Sequence, residues 1–290
     1  MKKVVILGVE GTHADHCVEM TRRYEKYGDV EFIGVYSDEP DANKRLNDKY
    51  GIPVMSSYDE AVGKVDGVIV VARNGHNHYK YAKPYIQSGV PMFIDKPITA
   101  SEEDALALMR ECRAAGVKVT TGSCTLYHKH IKTLKSEHEQ NYNGITIGGY
   151  VRGPVKLDSP YAGIYFYANH MVDPVLEIFG KYPKSVKAYK NGGEITVVFR
   201  YEKYDIVGLY DSYQGGKFYA LRMSERGGHG EDFSDLMPAH EEQFGVFYDV
   251  LCGGDMPLSY KDTIASVFVV NAIIRSLESG NEEAVKEYEI

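Results

Sequence analysis

Short β-branched runs alternate with longer stretches of helical spacing over roughly the first 120 residues, and this alternation restricts the fold more than any other feature. Val4–Leu7 is an apolar run that leads into a glycine turn and a helical stretch from about Ala14 to Tyr27, which Gly28 closes. Glu31–Tyr36 reads as a strand, Asp41–Tyr50 as a helix, and Ile52–Val54 as a short strand after Gly51. Val65–Ala72 is again a buried strand, Asn77–Ser88 a helix ended by Gly89, and Pro91–Ile94 another strand. Ser101 suits an N-cap, and Glu102, Glu103 and Asp104 favour the positive end of a helix that runs to about Ala115. Val117–Thr121 ends the series. Strands apolar throughout, each followed by a helix, need cover on both faces of their sheet. The pattern predicts an α/β domain with a doubly wound parallel sheet of the nucleotide-binding type.

After about Gly122 the pattern changes. Ile145–Val151 reads as a strand and Ile164–Phe179 as a helix ending at Gly180. Ser185–Lys190 and Glu194–Tyr201 flank Asn191-Gly192-Gly193, the signature of a hairpin, because Asn-Gly tolerates the positive φ of a tight turn. Asp205–Ser212 and Lys217–Met223 extend the meander, Phe244–Leu251 and Ile264–Leu277 are closing helices, and glycine-rich Arg226–Glu231 reads as a mobile loop. This is an α+β domain whose mostly antiparallel sheet leaves one face open. The chain of 290 residues thus divides at 1–122 and 123–290, in keeping with about 150 residues per domain.

The composition, 43% hydrophobic and 26% charged, excludes wholesale disorder. With 33 basic and 41 acidic residues the net charge is -8, which argues against nucleic acid or an anionic membrane as the main partner. No apolar run approaches the roughly 18 residues of a membrane helix. The apolar stretch after Lys3 is cut at Glu10, too early for an export signal, so a cytoplasmic protein is expected. Cys17, Cys112, Cys124 and Cys252 include no CxxC pair and read as reduced thiols packed as small hydrophobes. Tyrosine occurs 24 times and tryptophan not at all, which suggests tyrosines lining a cleft or a subunit interface.

Gly8-Val9-Glu10-Gly11-Thr12-His13 follows the first strand, where a dinucleotide fingerprint would read GxGxxG. Gly8 fits. Glu10 stands where the second glycine lets backbone approach a pyrophosphate, and would repel it unless it turns away; His13 stands where the third allows close helix packing. After the second strand, Ser37 and Asp38 are positioned for the adenosine ribose, and the lack of an adjacent arginine favours NAD over NADP. Ala72 ends the fourth strand, and Arg73, Asn74 and His78 follow it; this loop should face the cofactor cleft, since ligands of open parallel sheets lie at the carboxyl ends of strands. Asp95-Lys96-Pro97 ends the strand after that. A lysine here, desolvated beside a cationic nicotinamide, would be poised to exchange the proton of an alcohol as hydride departs. His13, His16 and Cys17, or His128 and His130, lack a convincing fourth ligand, so no metal is expected. Arg152 and Lys156 share a face of a strand-like stretch interrupted by Pro154 and read as solvated charges, with an anionic substrate as the alternative.

In order, the glycine turn, the loop ending in His78, the Lys96-Pro97 tetrad and a helix bearing His170 and Asp173 resemble the Gfo/Idh/MocA family over nearly the whole chain. The resemblance implies a Rossmann domain followed by an α/β substrate and dimerisation domain, and NAD(P)-linked redox chemistry on a polyol, sugar-like or cyclitol substrate. It implies a homo-oligomer, dimer or tetramer. Asp95-Lys96-Pro97 stands for the family's Glu-Lys-Pro, making Lys96 the catalytic lysine, and His170 matches the family's histidine. The aspartate usual four residues before that histidine is Phe166 here. Tyr167 shares the face of His170 and could contact the substrate hydroxyl, and Asp173 could orient His170. The altered glycine motif and Phe166 also suit a non-catalytic or regulatory relative that kept the scaffold.

Overall fold

The computed structural model describes residues 1–212 and 217–290. They pack as two units: Met1–Thr121 with Gln243–Thr263 and Ile290, and Gly122–Glu242 with Ile264–Glu289.

In the first unit the strands are β1 (Lys2–Leu7), β2 (Val30–Tyr36), β3 (Gly67–Val70), β4 (Met92–Ile94) and β5 (Val119–Thr121). The helices between them are α1 (His13–Arg23), α2 (Pro40–Tyr50), α3 (His76–Ile86) and α4 (Glu102–Ala115). The strands pair in parallel in the order β2-β1-β3-β4-β5. Val4–Leu7 and Val68–Val70 are wholly buried, as strands covered on both faces must be. The Ser101 hydroxyl caps α4 by accepting from Asp104 N–H at 3.0 Å, and the acidic first turn lies at the positive dipole end.

Three expectations need correction. Ile52–Val54 is no strand but a single bridge from Val54 to Val35, so the sheet has five strands. The first helix stops at Arg23, and a separate 3-10 turn, Glu25–Tyr27, continues to Gly28. Residues 243–263 do not stay with the second unit. Phe244 and Phe247 are buried in the first unit's core, where Tyr27 meets Phe244 at 5.0 Å between ring centroids and Phe93 meets Phe247 at 6.2 Å. Each buried aromatic ring removes roughly 150–250 Å² from water, and local periodicity does not reveal which core receives it.

The second unit begins with α5 (Lys129–Glu139), which the chain's periodicity did not reveal. It continues with β6 (Thr146–Pro154), α6 (Tyr165–Phe179), β7 (Ser185–Asn191), β8 (Glu194–Arg200), β9 (Asp205–Asp211), β10 (Tyr219–Ser224) and β11 (Gly227–Asp232). Then come α7 (Met237–Leu251), within which the unit changes at Gln243, the short α8 (Tyr260–Thr263), α9 (Ala265–Ser279) and β12 (Glu283–Ala284). The strands form a seven-stranded sheet in the order β11-β10-β6-β9-β8-β7-β12, antiparallel except for β6 against β9. Gly227–Asp232 is an edge strand paired along β10, not the loop expected over Arg226–Glu231. Buried Val186, Val197, Phe199, Ile206 and Ala220 of this sheet join a core with Met171, Val175 and Phe179 of α6 and Val269 and Ile273 of α9. Helix α6 lies very close to its sheet. A Cβ on Gly208 would come within 2.5 Å of Met171 Sδ, and Tyr210 donates to Ala168 O at 2.6 Å.

Candidate functional site

The glycine turn of the first unit is built around Gly8. Its φ is +79°, and a Cβ there would lie 2.4 Å from Ala72 Cα, so both backbone conformation and space demand glycine. Ala72 is thereby packed under the turn. Glu10 turns aside: one carboxylate oxygen accepts from the Ser37 hydroxyl and the other from Arg73 N–H at 3.2 Å, tying the loops after β2 and β3 together. Arg45, which carries no motif in the sequence, holds the turn from α2. Its guanidinium donates to Val9 O at 2.9 Å and Gly11 O at 3.1 Å and pairs with Asp15. Helix α1 opens at Thr12 with no side-chain cap. Backbone N–H groups at a helix start carry positive potential, so the α1 terminus fits an anionic group such as a diphosphate, and the engaged Glu10 carboxylate does not cap it.

His13 pairs instead across the end of β4, with Nδ1 2.5 Å from Asp95 Oδ2. Burial by itself pushes the Asp95 carboxyl up. His13 and Lys96 outweigh it and hold the group well below the usual carboxylate range. Lys96 is buried beside it, and the Lys96–Pro97 bond is cis. Asp38 is occupied by its neighbours, accepting from Tyr36 OH at 2.9 Å and Lys80 Nζ at 3.0 Å. Lys80 is therefore a cation beside the expected ribose carboxylate, supplied by α3 and invisible to a search for adjacent arginine.

The loop before α3 resolves into structural parts. Asn74 Oδ1 accepts from His76 N–H at 3.1 Å and shapes the start of α3. His78 was expected at the cofactor, but it is wholly buried, with Nδ1 2.7 Å from Pro97 O and Nε2 2.8 Å from Ala72 O. Both ring nitrogens are engaged by backbone, so His78 braces the segments after β3 and β4 and offers no nitrogen to a ligand.

In the second unit α6 presents Tyr167, His170 and Asp173 on one face, as their spacing requires. The ring of Tyr167 lies 5.5 Å from that of His170 and 4.6 Å from that of Phe166. Asp173 does not bond His170 directly. The partner of His170 is Ser123, whose Oγ lies 2.6 Å from Nδ1, while Asp173 accepts from Ser123 N–H at 2.7 Å and from Asn169 Nδ2 at 3.0 Å. Burial pushes the Asp173 carboxyl above its usual value, against the pull of the Ser123 N–H and the Asn169 amide. Ser123 also heads a short 3-10 turn, Cys124–Tyr127, as its N-cap. A serine two residues before a threonine and just past a strand was the signal available.

The remaining candidates take ordinary roles. Arg152 pairs with Asp211. His130 Nδ1 lies 2.6 Å from Glu231 Oε2, and His128 stacks on His130 at 5.0 Å. Among the described residues no three His, Cys, Asp or Glu side chains are grouped as a metal ion requires, and no helix is long and apolar enough to cross a membrane. Cys17, Cys112 and Cys124 are buried, whereas Cys252 is exposed and does not pack as a small hydrophobe.

No curated protein matches the chain. Residues 2–123 match the model of an oxidoreductase family with an NAD-binding Rossmann fold. Among solved structures the fold is similar to a scyllo-inositol dehydrogenase from Lactobacillus casei with bound NAD(H) and scyllo-inositol, at 13% identity and a TM-score of 0.86, over 98% of this chain and 99% of that one. It is similar to a myo-inositol dehydrogenase from Corynebacterium glutamicum, at 14% identity and a TM-score of 0.82, over 99% and 100%. It is also similar to GenD2 of gentamicin A biosynthesis in complex with NAD, at 16% identity and a TM-score of 0.86, over 99% and 97%. At these identities the likeness establishes the fold of both units. The family match is to the Gfo/Idh/MocA oxidoreductases and covers the Rossmann segment, residues 2–123.

Proposed function

We propose that the protein is an NAD-dependent dehydrogenase that interconverts a hydroxyl and a carbonyl on a cyclitol or sugar-like substrate. The observation that carries this reading is a buried lysine at the carboxyl end of β4, in the same unit as a glycine turn and an uncapped helix start. The α1 terminus with Gly8, Gly11 and Thr12 would hold the diphosphate, and Ser37 and Asp38 the adenosine ribose. Arg73, Asn74 and the Asp95–Pro97 segment belong to loops on the cofactor side. The nicotinamide, when bound, supplies the hydride acceptor or donor. Lys96 takes the hydroxyl proton in the oxidation and returns it in the reduction, so one proton and one hydride leave the alcohol together. His170 holds the substrate oxygen, with Tyr167 beside it. Lys96 and His170 belong to different units, and the reading needs both to reach one substrate.

Replacing Lys96 by alanine is expected to lower turnover by roughly 10²- to 10⁴-fold with NADH affinity changed only a few-fold. Turnover close to wild type would overturn the assignment. Glu10 and His13 in place of two glycines favour a second reading, a relative that kept the scaffold without redox chemistry. Fluorescence titration with NADH and NADPH separates the two. Binding of neither at millimolar concentration selects the scaffold reading, and tighter binding of NADPH assigns Lys80 to a 2′-phosphate.

A homo-oligomer also fits. The large apolar side chains Ile147, Tyr189, Tyr219 and Met223 are exposed on β6, β7 and β10, and the buried thiols suit a reducing cytoplasm. Light scattering after size exclusion is expected to give a dimer or tetramer, and a monomer at micromolar concentration would count against it.

A further inference from the structure

Whether His170 can take a proton from a substrate or only donate a hydrogen bond depends on which ring nitrogen carries its proton, and the surroundings of Ser123 decide this. Ser123 Oγ lies 2.6 Å from His170 Nδ1, 2.8 Å from the Thr125 hydroxyl and 3.2 Å from Thr125 N. Ser123 and Thr125 are 0% exposed and His170 6%, so bulk water does not compete for these contacts. A serine hydroxyl offers one proton and two lone pairs. The Thr125 N–H and the Thr125 hydroxyl donate to those two lone pairs. Ser123 meets Nδ1 with the one thing left, its own proton.

We infer that Ser123 is a positioning residue that holds neutral His170 as the Nε2–H tautomer. Nδ1 then accepts from Ser123, and the ring proton sits on Nε2. Asp173 contributes one step back. It accepts from Ser123 N–H at 2.7 Å and is itself held by Asn169 at 3.0 Å, which keeps the serine in place beneath the imidazole. On the oxidoreductase reading above, His170 donates a hydrogen bond from Nε2 to the substrate oxygen and does not remove its proton, and Lys96 is the proton acceptor. The inference deepens that reading, but the tautomer itself exists without cofactor or substrate.

The test reads the tautomer in the full-length protein with no ligand added. Long-range proton–nitrogen correlation spectra of ¹⁵N-labelled protein distinguish the two neutral forms, and the His170 signals are the ones lost in His170→Gln. At about pH 8, above the ordinary histidine range, wild type is expected to show the Nε2–H pattern. Ser123→Ala removes the donor to Nδ1. Thr125→Val frees a lone pair on Ser123, keeps side-chain volume, and tests the same claim should the alanine variant not fold. Either substitution is expected to bring in the Nδ1–H form. An Nδ1–H pattern in wild type overturns the inference, and so does an Nε2–H pattern unchanged in the variants. In turnover, Ser123→Ala is expected to lower kcat roughly ten- to hundredfold with KM nearly unchanged, and an unchanged kcat also overturns the role. The expected tautomer shifts in a protein that binds no NADH would refute the dehydrogenase and uphold the Ser123 assignment.

Discussion

Asp95 and Asp173 are buried to the same degree, each 3% exposed, and their carboxyl groups shift in opposite directions. Asp95 in the first unit meets His13 at 2.5 Å and follows in sequence directly before Lys96, and it is held below the usual carboxylate range. Asp173 in the second unit is bonded to the Ser123 N–H and the Asn169 amide, and burial pushes it up. Desolvation acts on both in the same sense. Neutral donors soften it, whereas a charged partner in contact reverses it. The two units therefore hold their histidines by different means. His13 is gripped by a buried carboxylate 2.5 Å from its Nδ1, and His170 by a hydroxyl that fixes where its single proton sits.

The largest effect should come from removing the first grip. His13→Ala leaves Asp95 buried beside Lys96 with one partner fewer and is expected to cost about 2–4 kcal/mol in denaturant unfolding. A loss under about 0.5 kcal/mol would mean that His13 does not hold Asp95 and would break the contrast. Acid sharpens it. Because the folded-state pKa of Asp95 lies below the unfolded value, its contribution is fully present above about pH 4 and is lost as pH falls toward the folded value. Wild type should therefore lose stability below about pH 4 more steeply than His13→Ala.

The smallest effect is expected at Asp173. Its folded-state pKa lies above the unfolded value, so its contribution is greatest below about pH 4 and declines as pH rises through the folded value. Asp173→Asn turns an amide NH2 toward one of its two donors, the Ser123 N–H or the Asn169 amide. It should cost about 1–2 kcal/mol at neutral pH, and compare better with wild type there than at pH 4. A cost matching that of His13→Ala would show that Asp173 is held ionised by contacts as strong as those of Asp95.

Much of the architecture was legible in the chain. Apolar runs closed by glycine and helical stretches opened by a serine or acidic turn announce themselves locally, so β1, α4 and the β7–β8 hairpin stand where periodicity puts them. Strand β11 did not, because Gly227-Gly228-His229-Gly230 has no strand propensity and is ordered by pairing along β10. Lys96 and His170 were visible as residue types in telling positions. Their partners were not. Arg45 reaches the Gly8 turn from more than thirty positions away, Lys80 comes to Asp38 from another helix, and Ser123, just past a strand, carried no motif.

Patterning along the chain determined the parallel sheet, the change of style after Gly122 and the glycine at position 8, because burial periodicity and backbone sterics act among near neighbours. Only tertiary packing decided that Phe244 and Phe247 join the first unit, that Glu10 turns toward Ser37 and Arg73, and that a serine, not an aspartate, sits against His170. Those outcomes depend on which groups meet across long stretches of chain. A hydrogen bond or a charge pair is set by distances of about 3 Å, which one-dimensional spacing does not encode.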